Sequence, residues 1–187
     1  MPVRQYEWPR PGDLLHVDIK PRARIGAGGH RIHGDRRRVC RGGGWEYVHV
    51  AVDDHRQGTY VEVLPDQRGN TCAAFLHRSV AWLAARAVTV RRGMRDNGSG
   101  YVSRRFRAAW QALALRHLPT RPYTPRTNGK AERFIQTLLR EWAYVGPYPA
   151  SQIRPRQLRP FLPSDNRRRP QARLPSHAPW SRRASAA

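Results

Sequence analysis

The sequence predicts an α/β domain in which a mixed β-sheet is covered by helices. Three observations carry this. Two runs rich in β-branched and aromatic residues, 45–54 and 59–66, are separated only by "HRQG", as an antiparallel hairpin requires. Further along, helical spacing alternates with short apolar runs, giving the order β-β-β-α-β-α-β-α. The chain's 187 residues suffice for one domain with a sizeable core.

The elements follow in order. "DLLHVDIK" (13–20) alternates, with Leu15, Val17 and Ile19 on one face and Leu14, His16 and Asp18 on the other, so it reads as a strand. Residues 21–44 are rich in Gly and Arg without periodicity, which predicts a long loop or loose hairpin. "WEYVHVAVDD" (45–54) is a central strand and "TYVEVLPD" (59–66) its hairpin partner. Residues 70–87 form a helix, with Ala73, Leu76, Val80, Leu83 and Ala84 at helical spacing and Asn70 or Thr71 as its cap. "VTVRRGM" (88–94) is a fourth strand. "SRRFRAAWQALAL" (103–115) is a helix capped by Ser103, "RHLPT" (116–120) a short strand, and "KAERFIQTLLREWAYV" (130–145) the last long helix. Half of the chain's 16 prolines lie beyond residue 146, which breaks helical spacing and predicts an irregular tail. Three segments result: a lead-in at 1–12, a core at 13–148 and a Pro/Arg-rich tail at 149–187.

Charge narrows the class of partner. With 35 Lys+Arg against 13 Asp+Glu the net charge is +22, a field that attracts polyanions, so nucleic acid is the expected partner. Lys20 and Lys130 are the only lysines; an arginine skew of this kind suits phosphate forks but also follows from GC-rich coding. No run of 18 apolar residues exists, the N-terminus lacks the sections of a signal peptide, and two cysteines make no disulfide framework. A cytoplasmic protein with free thiols and no membrane partner is expected.

Acids are scarce enough that their positions matter. Asp18 sits on the first strand, Asp96 immediately after the fourth in "DNGS", and Glu132 in the first turn of the last long helix. Three carboxylates converging at strand ends and a helix start would hold two Mg²⁺ or Mn²⁺ ions about 3.5–4 Å apart, since carboxylates suit these hard cations. Taken singly, each acid also has an ordinary explanation: a strand end, an Asx-turn and a helix N-terminus.

The wording around these acids is more specific. "HVDIK", "AVDD", "RDNGSGY" and "TRPYTPRTNGKAERFIQTLLREW" together resemble the integrase-type catalytic core of insertion-sequence transposases. The resemblance is in particular to the IS481-like group and its retroviral-integrase relatives (DDE type). The resemblance runs from about Arg10 to Tyr148, and 35 residues separate Asp96 from Glu132, the D,D-35-E interval of that superfamily. It implies a ribonuclease-H-like fold, a five-stranded mixed sheet flanked by helices, with Asp18, Asp96 and Glu132 as the metal triad. It also implies metal-dependent DNA strand cleavage and strand transfer, with no small-molecule substrate, by a homo-oligomer assembled on DNA in a bacterial, nucleoid-associated setting.

Around the triad, Lys130, Arg133 and Arg140 are expected to grip phosphates, and Asn128-Gly129 to act as a hinge or N-cap in a DNA-closing loop. His16 is read as packing or as support for the metal ligands, and Asp53 and Asp54 as surface or turn residues. His30, His33 and Cys40 match no zinc-finger spacing. The glycines at 26–29 and 42–44 precede no Lys-Ser/Thr or helix, so they form no phosphate loop.

Three departures from the family pattern stand out. Only 17 residues precede Asp18, too few for a helix-turn-helix region; Arg95 occupies a position usually small or Thr, where it could pair with Asp96; and Asp165 and Gln171 replace the Tyr and His of the usual tail motif. They predict a truncated transposase, and keep open an alternative: an inactive Arg-rich nucleic-acid-binding remnant. A simple ribonuclease-H-type nuclease fits the "NGKAERF" helix less well.

Overall fold

Period-two alternation builds the centre of the sheet. In the computed structural model, which describes residues 7–24, 44–96, 98–119, 128–145, 151, 153–169 and 178–181, β1 (Leu15–Ala23) pairs antiparallel with β2 (Trp45–Asp53), from Leu15 opposite Asp53 to Ala23 opposite Trp45. β2 pairs antiparallel with β3 (Thr59–Leu64). On its other side β1 runs parallel to β4 (Arg92–Arg95), which runs parallel to β5 (Arg116–Pro119). The five-stranded order β3-β2-β1-β4-β5 is the mixed, ribonuclease-H-like sheet implied by the resemblance.

Helices cover both faces, as the two-sided apolar pattern of the central strands demands. Leu15, Val17 and Ala51 pack with α1 (Gly69–Ala84) and α2 (Arg104–Ala112) through Phe75, Leu76, Phe106 and Trp110. Val48, Val50, Val52 and Val61 pack on the opposite face with α3 (Gly129–Leu138) through Ala131, Phe134, Ile135 and Leu138. A Cβ at Gly93 would lie 2.6 Å from the Trp110 ring, so β4 needs glycine there for α2 to approach. Among the described residues no helix is long and apolar enough to cross a membrane. Cys72 is a buried free thiol, and Cys40 lies outside the described residues.

Several boundaries differ from the sequence expectation, each for a local reason. The fourth strand starts at Arg92, not 88, because Arg91 N donates to Gly12 O (2.8 Å) before the ladder with β1 begins; Val88 and Val90 are buried without being paired strand. Helix α1 starts at Gly69 with Arg68 in the cap position and no side-chain cap, so neither Asn70 nor Thr71 serves as one. Ser103 does cap α2, its hydroxyl accepting from Phe106 N at 3.2 Å. The last long helix is α3 followed by a wider π-helical turn, Leu139–Ala143.

The largest correction concerns the proline-rich tail. Ile153–Arg167 forms α4, with Pro160 and Pro163 inside it. Tertiary contacts offset the two missing amides. Leu158, Phe161 and Leu162 join the cluster on the α3 face, and Trp142 Nε1 donates to Arg154 O at 2.9 Å. The Arg154 guanidinium pairs with Glu46 in the interior. Asn166 then clamps the start of β3, accepting from Thr59 N (2.8 Å) and donating to Thr59 O (2.9 Å). Truncating Asn166 leaves both Thr59 groups buried and unpaired, so Asn166→Ala is expected to cost about 2–3 kcal/mol in urea denaturation.

Candidate active site

Strand alternation and one parallel pairing bring the three acids to one region of the sheet. Asp18 shares its face with His16 and lies opposite Val50, one of the residues that pack against α3. Val17 pairs with Arg95, so Asp96 emerges from β4 alongside Asp18. Glu132 is exposed in the first turn of α3. Asp18 Oδ1 accepts from Ile19 N at 2.7 Å, and Asp96 Oδ1 from Gly98 N at 3.0 Å, the Asx-turn expected of "DNGS". Asn97 lies outside the described residues.

Electrostatics register the proximity. The Asp18 carboxyl is pushed up to about 6, chiefly by burial, against the pull of the Ile19 amide, with the negative charges of Asp96 and Glu132 adding and Lys20 opposing. Near Asp18 and Asp96 lies Tyr101, 1% exposed, whose hydroxyl has no hydrogen-bond partner among the described residues and whose ring packs on Phe106 at 4.9 Å. Burial, then the charge of Asp18, raise that phenol well above its ordinary value. A half-buried acid with further negative charge nearby is a donor chemistry that a hard divalent cation relieves. The set is open: among the described residues no three His, Cys, Asp or Glu side chains are grouped closely enough to hold a metal. Asp18 and Asp96 are each turned onto a backbone amide that follows them.

Arg95 does not cap the Asp96 carboxylate. Its Nη1 donates to the Asp96 backbone carbonyl at 3.0 Å, leaving the carboxyl oxygens to the turn.

The expected DNA contacts divide. Arg133 and Arg140 are exposed on α3 and the π-turn, Arg140 within 3.9 Å of Glu141. Lys130, expected as a phosphate contact, and Asn128, expected as a hinge or N-cap in a DNA-closing loop, both turn inward. The Lys130 side chain is 9% exposed; its Nζ lies 2.8 Å from Asp54 Oδ1 and donates to Asp54 O at 2.6 Å. Asn128 occupies the N-cap position but makes no side-chain cap; its Oδ1 lies 3.1 Å from His16 Nδ1. His16 Nε2 donates to Asp54 Oδ1 at 2.8 Å, a supporting role and not a ligand's.

Asp54 is therefore the hub of a buried network, and the surface reading of the "DD" pair fails. Asp53 and Asp54 are 1% and 2% exposed. Asp53 keeps the turn role, accepting from Gly12 N and Arg56 N. Asp54 also accepts from Trp8 N at 2.7 Å. Burial acts to raise the Asp54 carboxyl but is outweighed by His16, the Lys130 ammonium and the Trp8 amide, leaving it below the ordinary carboxylate value. A sequence signal existed: two adjacent acids closing a central strand in a chain poor in acids. His30, His33, Cys40 and residues 120–127 lie outside the described residues.

Comparisons with known proteins bear on the family and the fold. Residues 9–125 match the family model described as the integrase core domain. An uncharacterized protein of insertion element IS136 from Agrobacterium fabrum is 31% identical over 96 residues, covering 51% of this chain and 49% of that one. The chain thus spans about half the length of the insertion-element relatives it matches. Among solved structures, the catalytic core domain of BIV integrase aligns with a TM-score of 0.58 at 17% identity, over 91% of this chain and 92% of that one. The HTLV-2 integrase catalytic core domain, solved with magnesium in a trimeric form, gives 0.57 at 14%, over 92% and 96%. A chain of the simian T-cell lymphotropic virus intasome, solved with PP2A regulatory subunit B56 gamma, gives 0.68 at 19%, over 94% and 55%.

Proposed function

This chain belongs to the integrase core domain family, and on that premise we propose that it acts as the catalytic core of an insertion-sequence transposase. Its reaction would be divalent-metal-dependent cleavage and strand transfer of DNA. The observation that carries the reading is the Asp18 carboxyl, held near 6 by burial and by the charges of Asp96 and Glu132. Acids so placed repel one another unless a cation joins them.

In this reading Asp18, Asp96 and Glu132 hold two Mg²⁺ or Mn²⁺ ions, which supply activation of the attacking oxygen and stabilisation of the leaving 3′ oxygen. The chain's own residues do the rest. The β1–β4 pairing sets Asp18 on β1 beside Asp96, the residue that follows β4, and α3 brings Glu132 from the covering layer. Exposed Arg133 and Arg140, with Lys20 two residues from Asp18 on the same strand face, present positive charge to the phosphate backbone. DNA is the partner, a homo-oligomer on DNA the working assembly, and the bacterial cytoplasm at the nucleoid the compartment.

The test is incubation of the protein with a short DNA duplex and Mg²⁺ or Mn²⁺. Nicked or joined products are expected with the wild-type chain, reduced about 10³-fold or more in Asp96→Asn, since several kcal/mol of transition-state stabilisation are removed. Equal DNA binding by both proteins, with no cutting by either, establishes the second reading, an Arg-rich DNA-binding protein without activity.

A further inference from the structure

Two elements must keep a fixed distance for three acids to share ions: β1, which carries Asp18, and the first turn of α3, which carries Glu132. The start of a helix is its weakest part, because its first amides have no intrahelical acceptors. In α3 this weakness is not repaired by a side-chain cap. The tethers come from another direction. Lys130, two residues before Glu132, makes two contacts with Asp54 at the end of β2. Asn128, one residue before the helix, meets His16. His16 in turn sits two residues before Asp18 on the same strand face and donates to Asp54.

We propose that Asp54, His16, Lys130 and Asn128 form a latch that sets where Glu132 stands relative to Asp18. They are positioning residues, and the inference rests on the reading of Asp18 and Glu132 as metal ligands. The charge balance separates this from a DNA-gripping role for Lys130. Its ammonium is matched by the Asp54 carboxylate, with both side chains buried, so the pair offers a phosphate no net charge. The long stem of Lys130, ending in several donors, lets it reach both a carboxylate oxygen and the carbonyl of the same residue.

The test uses the paired variant Lys130→Met with Asp54→Asn, which removes the ion pair without leaving a single buried charge, and Asn128→Ala, which removes the other tether alone. Amide hydrogen exchange over residues 129–133, without metal, is expected to quicken about tenfold in the paired variant and less in Asn128→Ala, with exchange in β3 unchanged. Mn²⁺ affinity, measured by electron paramagnetic resonance, is expected to fall about tenfold in the paired variant. It should hold in a control pair, Glu46→Gln with Arg154→Met, which empties a buried ion pair remote from the α3 start. The salt dependence of DNA binding should keep its slope, whereas a lost phosphate contact lowers it by about one. Unchanged exchange in both variants, an unchanged Mn²⁺ affinity in the paired variant when the wild-type chain binds the ion, or a slope lowered by about one overturns the latch. A wild-type chain that binds no Mn²⁺ overturns the metal reading instead, and hydrogen exchange then decides the latch alone.

Discussion

Asp18→Asn is expected to stabilise the metal-free protein at pH 7.5 by on the order of 2–3 kcal/mol while abolishing its gain from Mn²⁺. The sign follows from where the proton binds. Folding raises the Asp18 carboxyl from 3.8 to about 6, so the folded state holds this proton more tightly than the unfolded chain. Asp18's relative contribution to stability is therefore greatest below about pH 4. It is lost as pH rises to about 6, and above that the full cost of a buried carboxylate is in place. Asparagine carries no such cost. Because Asp53, Glu46 and Asp165 are also raised by burial, the quantity to measure is the wild-type minus variant difference in urea denaturation from pH 4 to 7.5. A difference that does not change with pH would sink the prediction. Excess Mn²⁺ should recover the loss in the wild-type chain, by about 2.7 kcal/mol at one hundred times its dissociation constant, and do nothing for the variant.

Arg154→Met is expected to cost about 3–5 kcal/mol, the usual result of leaving one member of a buried ion pair alone. Arg154 and Glu46 are 3% and 5% exposed, and their contact joins α4 to the first residues of β2. Burial already raises the Glu46 carboxyl, with Arg154 opposing the shift, so removing the guanidinium exposes Glu46 to the full desolvation cost. The double variant with Glu46→Gln should recover most of the loss, because no uncompensated charge remains. A double-mutant cycle in urea measures the coupling directly. A single-variant cost below 1 kcal/mol would show that the neighbouring Arg22 and Arg24, whose charges also act on Glu46, suffice to hold it.

Much of the core was legible because it depends on short-range patterns. The alternation of "LHVDI" placed Leu15 and Val17 on one face and His16 and Asp18 on the other, and the packing follows that division. Ser103 before an amphipathic run was readable as a cap for the same reason: donor and acceptor lie three residues apart. That Asp18, Asp96 and Glu132 lie near one another accords with motif wording and spacing, whereas the openness of the set was not legible, since it depends on how each carboxylate rotates.

Lys130 shows the limit most clearly. Beside Glu132 and Arg133, on a helix start in a protein of net charge +22, it reads as one more cation for DNA. Its partner is 76 residues away in sequence, and no local pattern encodes that distance. The same holds for α4, where composition forbade a helix and long-range contacts made one: Arg154 reaches Glu46 across 108 residues and Asn166 reaches Thr59 across 107. The sequence alone determined the strands and most of the covering helices, because propensity, alternation and spacing act over a few residues. Only the tertiary structure decided which charges stay exposed and which are consumed inside, and that the segment 153–167 folds as a helix. Burying a charge or an amide is tolerated only where a partner arrives from elsewhere in the chain.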